Sequence, residues 1–167
     1  VGLDRAGAVD HRAGRKLPGL HVVWFENLQA KELRRRVVEN NFGFGKTVTT
    51  DFDTAIDNVI AALAAEGFGV LSDINVAATL KKKLDKDMPP YRILGACNPA
   101  LAHQAVSAVP DIGLLLPCNV LVRQDDGGTV HVSFMDPAAV MGLVDNEDVL
   151  PLATAVREKL DRVMSAL

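Results

Sequence analysis

The sequence predicts an α+β domain, and three observations predict it. Amphipathic helical stretches alternate irregularly with short strand-like runs between Phe42 and Leu143. Two apolar runs flank Asp125-Asp126-Gly127-Gly128, a strong hairpin signal that implies antiparallel pairing. A closing stretch carries Leu152, Val156, Leu160, Val163 and Leu167 at helical spacing, enough for a helix that covers one face of a sheet. Strands interrupted by helices, with a hairpin and a closing helix, fit α+β better than a repeating βαβ pattern.

Composition bounds the function. A chain of 167 residues with 49% hydrophobic content forms one domain with a substantial core. Its net charge of −3 is unevenly spread: residues 1–41 hold eight Lys/Arg against five Asp/Glu, and residues 42–167 hold ten against sixteen. An acidic body is a poor electrostatic partner for phosphate backbones, so no nucleic-acid partner is expected. Two cysteines are too few for a secreted disulfide scaffold, and they lack zinc-knuckle spacing. Charged residues from Arg5 to Lys16 interrupt any signal-peptide layout, and Leu20–Phe25 is far short of a membrane span. A reduced, cytoplasmic protein with no membrane partner is the expectation.

Taken in order, residues 1–41 read as an N-terminal arm, loosely attached to a single domain over 42–167. Residues 1–19 have no helical or strand period. Leu20–Phe25 suggests a short strand and Glu26–Asn40 a helix with a ragged apolar edge. Arg34, Arg35 and Arg36 form a basic run that a solvated helix face explains more simply than an anionic contact. Phe44–Thr49 reads as a strand. Thr50 or Asp51 caps a helix over Asp53–Glu66, whose face is Phe52, Ile56, Val59, Ile60 and Leu63, and Gly67 stops it. Gly69–Ile74 is a strand, and Asn75–Asp87 a helix bearing Lys81, Lys82, Lys83 and Lys86 beside Asp85 and Asp87. Met88-Pro89-Pro90 ends it before a strand over Tyr91–Ala96.

Asn98 is a strong N-cap with Pro99 at the first helical position, so a helix over Pro99–Ala108 follows, stopped by Pro110. Ile112–Arg123 reads as a strand broken at Pro117, and Thr129–Met135 returns antiparallel. A short helix over Ala138–Leu143 precedes the closing helix, where Glu158 can pair with Arg162.

Within this order, Tyr91–Val122 concentrates the distinctive residues. Gly95, Cys97, Asn98 and Pro99 form a G-x-C-N-P turn, and Leu116, Pro117, Cys118, Asn119 and Val120 form an L-P-C-N-V strand. These motifs resemble the bacterial and archaeal domain of unknown function family 302, over residues 42–167. The resemblance implies a curved antiparallel sheet packed against helices, similar to the TATA-binding-protein-like class. It also implies a site at the two motifs, but no reaction.

A two-residue turn at Asp126-Gly127 would set Val122 opposite His131, Val120 opposite Ser133 and Cys118 opposite Met135. Both faces of that ribbon are then partly apolar. We therefore expect the second face to be covered by a bound ligand or by self-association, a homodimer through the sheet face.

The candidate ligand-binding residues are Cys97, Asn98, Pro99, Cys118 and Asn119, and a small-molecule partner is possible. Cys97 precedes the helix cap, where the helix dipole would lower its pKa. With Cys118 it could form a thiol site, or both could be small buried hydrophobes. His103 is a candidate base for Cys97. His131 and Met135 could join Cys118 around a soft metal, although an apolar strand explains them better, and no metal site is expected. No phosphate-binding, dinucleotide, zincin or nucleophile-elbow motif is present, so no cofactor is indicated. Two functions stay open: a small-ligand-binding or interaction domain, and a thiol-dependent enzyme or sulfur/redox carrier using Cys97, Cys118 and His103.

Overall fold

Local signals place most of the elements. Asp51 caps the first helix, α1 (Phe52–Ala65), its carboxylate accepting from the Thr54 amide at 3.0 Å. Asn75 caps α2 (Val76–Leu84) in the same way through Ala78 N–H. Asn98 caps α3 (Pro99–Ala108), accepting from Leu101 N–H at 3.2 Å, with Pro99 in the opening turn. Such caps contribute about 1 kcal/mol each. Asp136 caps the five-residue α4 (Pro137–Met141), and α5 (Val149–Ala166) closes the chain. The computed structural model describes residues 37–167, which form one unit.

The strands are β1 (Val37–Asn40), β2 (Gly43–Val48), β3 (Gly69–Asn75), β4 (Tyr91–Cys97), β5 (Cys118–Gln124) and β6 (Val130–Met135). Among the described residues they form one six-stranded sheet in the order β1-β2-β6-β5-β4-β3, with every pairing antiparallel. The α+β architecture with an antiparallel sheet and a long C-terminal helix is as the sequence predicts.

Four expectations are corrected. Val37–Asn40 is a strand paired with β2, not the end of a helix over Glu26–Asn40; the rest of that helix, Leu20–Phe25 and Arg34–Arg36 lie outside the described residues. Pro110–Leu115 is a 3-10 helix rather than strand, because this run lacks alternation and leaves Leu114 89% exposed. Arg162 pairs with Glu66 at 2.9 Å across α1 and α5, not with Glu158.

The fourth correction matters most. The β5–β6 connection is a bulged turn, not a two-residue one. Gly128 N–H donates to the Asp125 carbonyl and Asp125 N–H to Thr129, with Gly128 at φ +83°, a conformation that glycine adopts without strain. The Asp125 carboxylate accepts from Gly127 N–H and Thr129 N–H and hydrogen-bonds His131 Nε2 at 2.9 Å. The register consequently shifts by one residue: Val120 pairs with Phe134, Val122 with Val132 and Arg123 with His131. A one-residue shift exchanges the faces of a strand. Val120, Val122, Val130, Val132 and Phe134 now all point inward and are buried.

Those residues meet Ala55, Ile56, Val59 and Leu63 of α1 and Leu160 and Val163 of α5 in the main core. A smaller cluster of Ala105, Ile112, Met141, Val149 and Ala153 joins α3, α4 and α5 at one end. The opposite sheet face carries Asn119, Leu121, Arg123, His131, Ser133 and Met135, half-buried or exposed. Val130, Val132 and Phe134 thus belong to the core, and Leu121 and Met135 are the apolar residues that β5 and β6 leave on the opposite face.

Surface carboxylates tie the edges. The Glu66 pKa is lowered chiefly by its hydrogen bonds from Arg162, and that of Asp51 by the Thr54 hydroxyl and amide. A carboxylate lowered on folding stabilises the fold above its unfolded value, near 4, and loses that contribution as pH falls through the folded value. Urea midpoints should therefore drop between about pH 6 and pH 3. Glu66→Gln should drop less over the same interval, and a parallel fall in both proteins would remove Glu66 from the account.

Candidate functional site

The two cysteine motifs meet on adjacent strands. Gly95 pairs with Asn119 and Ala96 with Cys118, so the G-x-C-N-P turn and the L-P-C-N-V strand lie side by side. Gly95 has no side chain because Pro117 lies against it: a Cβ there would come within 2.7 Å of Pro117 Cγ and would also meet Ser72 Oγ. Glycine in the first motif makes room for proline in the second.

Beneath this junction, on the helical side, is a cavity of about 40 Å³. Ala96, Cys97, Asn98 and Cys118 form its sheet side, α3 contributes Leu101, Ala102 and Ala105, and α5 contributes Leu152, Ala153 and Val156. Four of these residues are alanines, whose small side chains leave the space open. The only strongly polar side chain in the lining is Asn98, whose oxygen is engaged in capping α3.

Both cysteines are free thiols. Burial pushes the Cys97 pKa up, and pushes Cys118 up to about 11, with the nearby Cys97 adding to the effect. The direction is opposite to that expected from the α3 dipole, and its cause is removal from water.

The other candidates separate. Pro99 is exposed in the first turn of α3 and does not line the cavity. His103 is exposed on α3 and likewise outside the lining, so it is not placed as a base for Cys97. Cys118 points inward, whereas His131 and Met135 lie on the opposite face, so these three cannot share a metal. Asn119 also lies on that opposite face. It borders a shallow groove of about 350 Å³ with Asn40, Phe42, Leu121, Arg123 and Met135. Lys81 bridges Asp85 and Asp87 at 2.8 and 2.9 Å on the exposed α2, the solvated arrangement expected of that lysine run.

A family model described as "Domain of unknown function DUF302" matches residues 44–167. This chain belongs to the DUF302 family. A crystal structure of an uncharacterized conserved protein DUF302 from Bacillus stearothermophilus superposes with a TM-score of 0.70 at 26% identity, covering 75% of this chain and 97% of that one. No curated protein matches. The DUF302 match spans both cysteine motifs, the cavity walls and α5. Among the described residues, no helix is long and apolar enough to cross a membrane.

The sequence pointed to the motif half of the cavity but not to its α3 and α5 walls. Their signal was the alanine spacing in Ala102, Ala105 and Ala153, which reads as ordinary helix composition until the elements are brought together.

Proposed function

We propose that this DUF302 domain binds a small, mainly apolar molecule in the cavity beneath its two Cys-Asn motifs. The observation that carries this reading is the alanine-walled pocket of about 40 Å³ between the sheet, α3 and α5. Small residues from the sheet and two helices converge there on a partly open pocket with mainly apolar walls. The thiols act as protonated, polarizable wall atoms. With their pKa values raised, neither is a ready nucleophile at neutral pH. Of the α3 residues only Ala105 is buried, so a guest larger than the void is accommodated by outward displacement of α3.

Two measurements test this. Toluene, titrated against the isotope-labelled protein, should shift the amides of Leu101, Ala105 and Ala153 saturably. Ala153→Leu, which fills the void, should abolish the response. Alkylation of the native protein should be slow at neutral pH and accelerate as pH rises toward about 11, with Cys118 slower than Cys97. Rapid labelling at neutral pH, with no toluene response, would instead support the thiol-dependent enzyme or sulfur/redox carrier using Cys97 and Cys118.

A further inference from the structure

The geometry points to a second binding site on the opposite face of the sheet, for a small carboxylate with a short apolar tail. Arg123 takes the carboxylate, and Leu121, Met135 and Phe42 take the tail. Three observations converge on this.

The first is charge. Of the four arginines in the described residues, Arg92 holds Asp73, Arg157 holds Asp136 and Asp161, and Arg162 holds Glu66. Among the described residues, Arg123 is half-buried, has no carboxylate partner, and shares its groove with no acidic side chain. A cation set into a partly desolvated groove without a counter-ion complements an anion.

The second is placement. Along β5, Asn119 and Arg123 flank Leu121 on the same face, and Ser133 pairs directly opposite Leu121 on β6. Asn119, Ser133 and Arg123 make no side-chain hydrogen bonds to other described residues. Three polar groups therefore converge around one apolar side chain, the usual make-up of a small-molecule site.

The third is shape. Met135 pairs with Gly43, where a Cβ would come within 2.9 Å of the Phe134 carbonyl. The missing side chain leaves the groove open toward Phe42, which is 67% exposed at its rim. Its volume of about 350 Å³ lies at the small end of ligand sites, suited to a tail of a few carbons. A second copy laid over this face would bury two Arg123 guanidinium groups with no groove carboxylate for either, which is costly.

Hexanoate titrated against the full chain, followed through amide resonances and calorimetry, tests the site. Saturable shifts at Leu121, Arg123 and Ser133 are expected, with hexanol binding about tenfold or more weaker, the scale of a hydrogen bond to a charged group. Arg123→Gln should lose about tenfold or more in hexanoate affinity, and Arg123→Lys should retain part of it. Thermal unfolding of both variants checks that they fold, and the hexanol comparison in the parent protein stands independently of them.

Equal binding of hexanoate and hexanol overturns the proposal, as does an undiminished affinity in Arg123→Gln. So does a concentration-dependent doubling of mass that protects these amides, because a second copy would then own the face. Shifts confined to Leu101, Ala105 and Ala153 also overturn it, while leaving the cavity on the other side of the sheet intact.

Discussion

Phe134→Ala should lower the unfolding free energy by about 3–5 kcal/mol, a large share of the roughly 5–15 kcal/mol that holds a domain of this size. Phe134 is 1% exposed and sits on β6 at the centre of the sheet's inner face. Its ring stacks on Phe44 of β2, with centroids 5.5 Å apart and planes inclined by 22°. Arg157 of α5 lies over the Phe44 ring, its guanidinium carbon 3.6 Å from the centroid, while pairing with Asp136 and Asp161. Removing one ring leaves a cavity and also loosens the aromatic platform beneath Arg157, so β2, β6 and α5 lose a common contact. Urea denaturation gives the cost directly, and Phe134→Leu should lose much less because it retains most of the volume. A loss below about 1.5 kcal/mol for the alanine variant would mean that the core collapses onto the gap and that the stack is not central.

The fold was legible wherever the signal was local. Asn98-Pro99 marked the start of α3 because a side-chain acceptor and a missing N–H act within one turn. The α1 stripe and the Gly67 stop were readable for the same reason. What escaped was set by distant partners or by one unusual dihedral. Val37–Asn40 is a strand because the edge of β2 is available to it, which no neighbouring residue announces. The β5–β6 register turned on Gly128 rather than on Asp126-Gly127, and that one-residue difference moved Cys118 away from His131 and Met135. The sequence located the candidate site at the cysteine motifs, since they carry unusual residues close together. It set His131 and Met135 beside Cys118, because which β6 residues share its face depends on the register. Arg123 could not be singled out for a related reason: that it lacks a carboxylate partner among the described residues is visible only once their acids have been placed.

The contact between the motifs makes the second large prediction. Gly95→Ala should cost about 1–3 kcal/mol, the range for overpacking a filled site, although it adds a single methyl group to a strand. On an exposed strand the same change would be neutral or stabilising, because glycine gives up more backbone freedom on folding. Here the added carbon meets Ser72 Oγ and lies within 2.7 Å of Pro117 Cγ. Ser72 is exposed and its hydroxyl can rotate away, so Ser72→Ala in the same chain should recover little of the loss. The Pro117 ring is stiffer and continues directly into Cys118, so relief has to come from displacing β5. Displacement of β5 moves Cys118 in the cavity and Asn119 on the open face together. Gly95→Ala should therefore shift the amides of both residues, and weaken toluene and hexanoate binding alike, even though position 95 lines neither site. Unfolding within about 0.5 kcal/mol of the parent, with both amides unmoved, would show that Pro117 yields freely and that the two motifs are neighbours without being mechanically coupled.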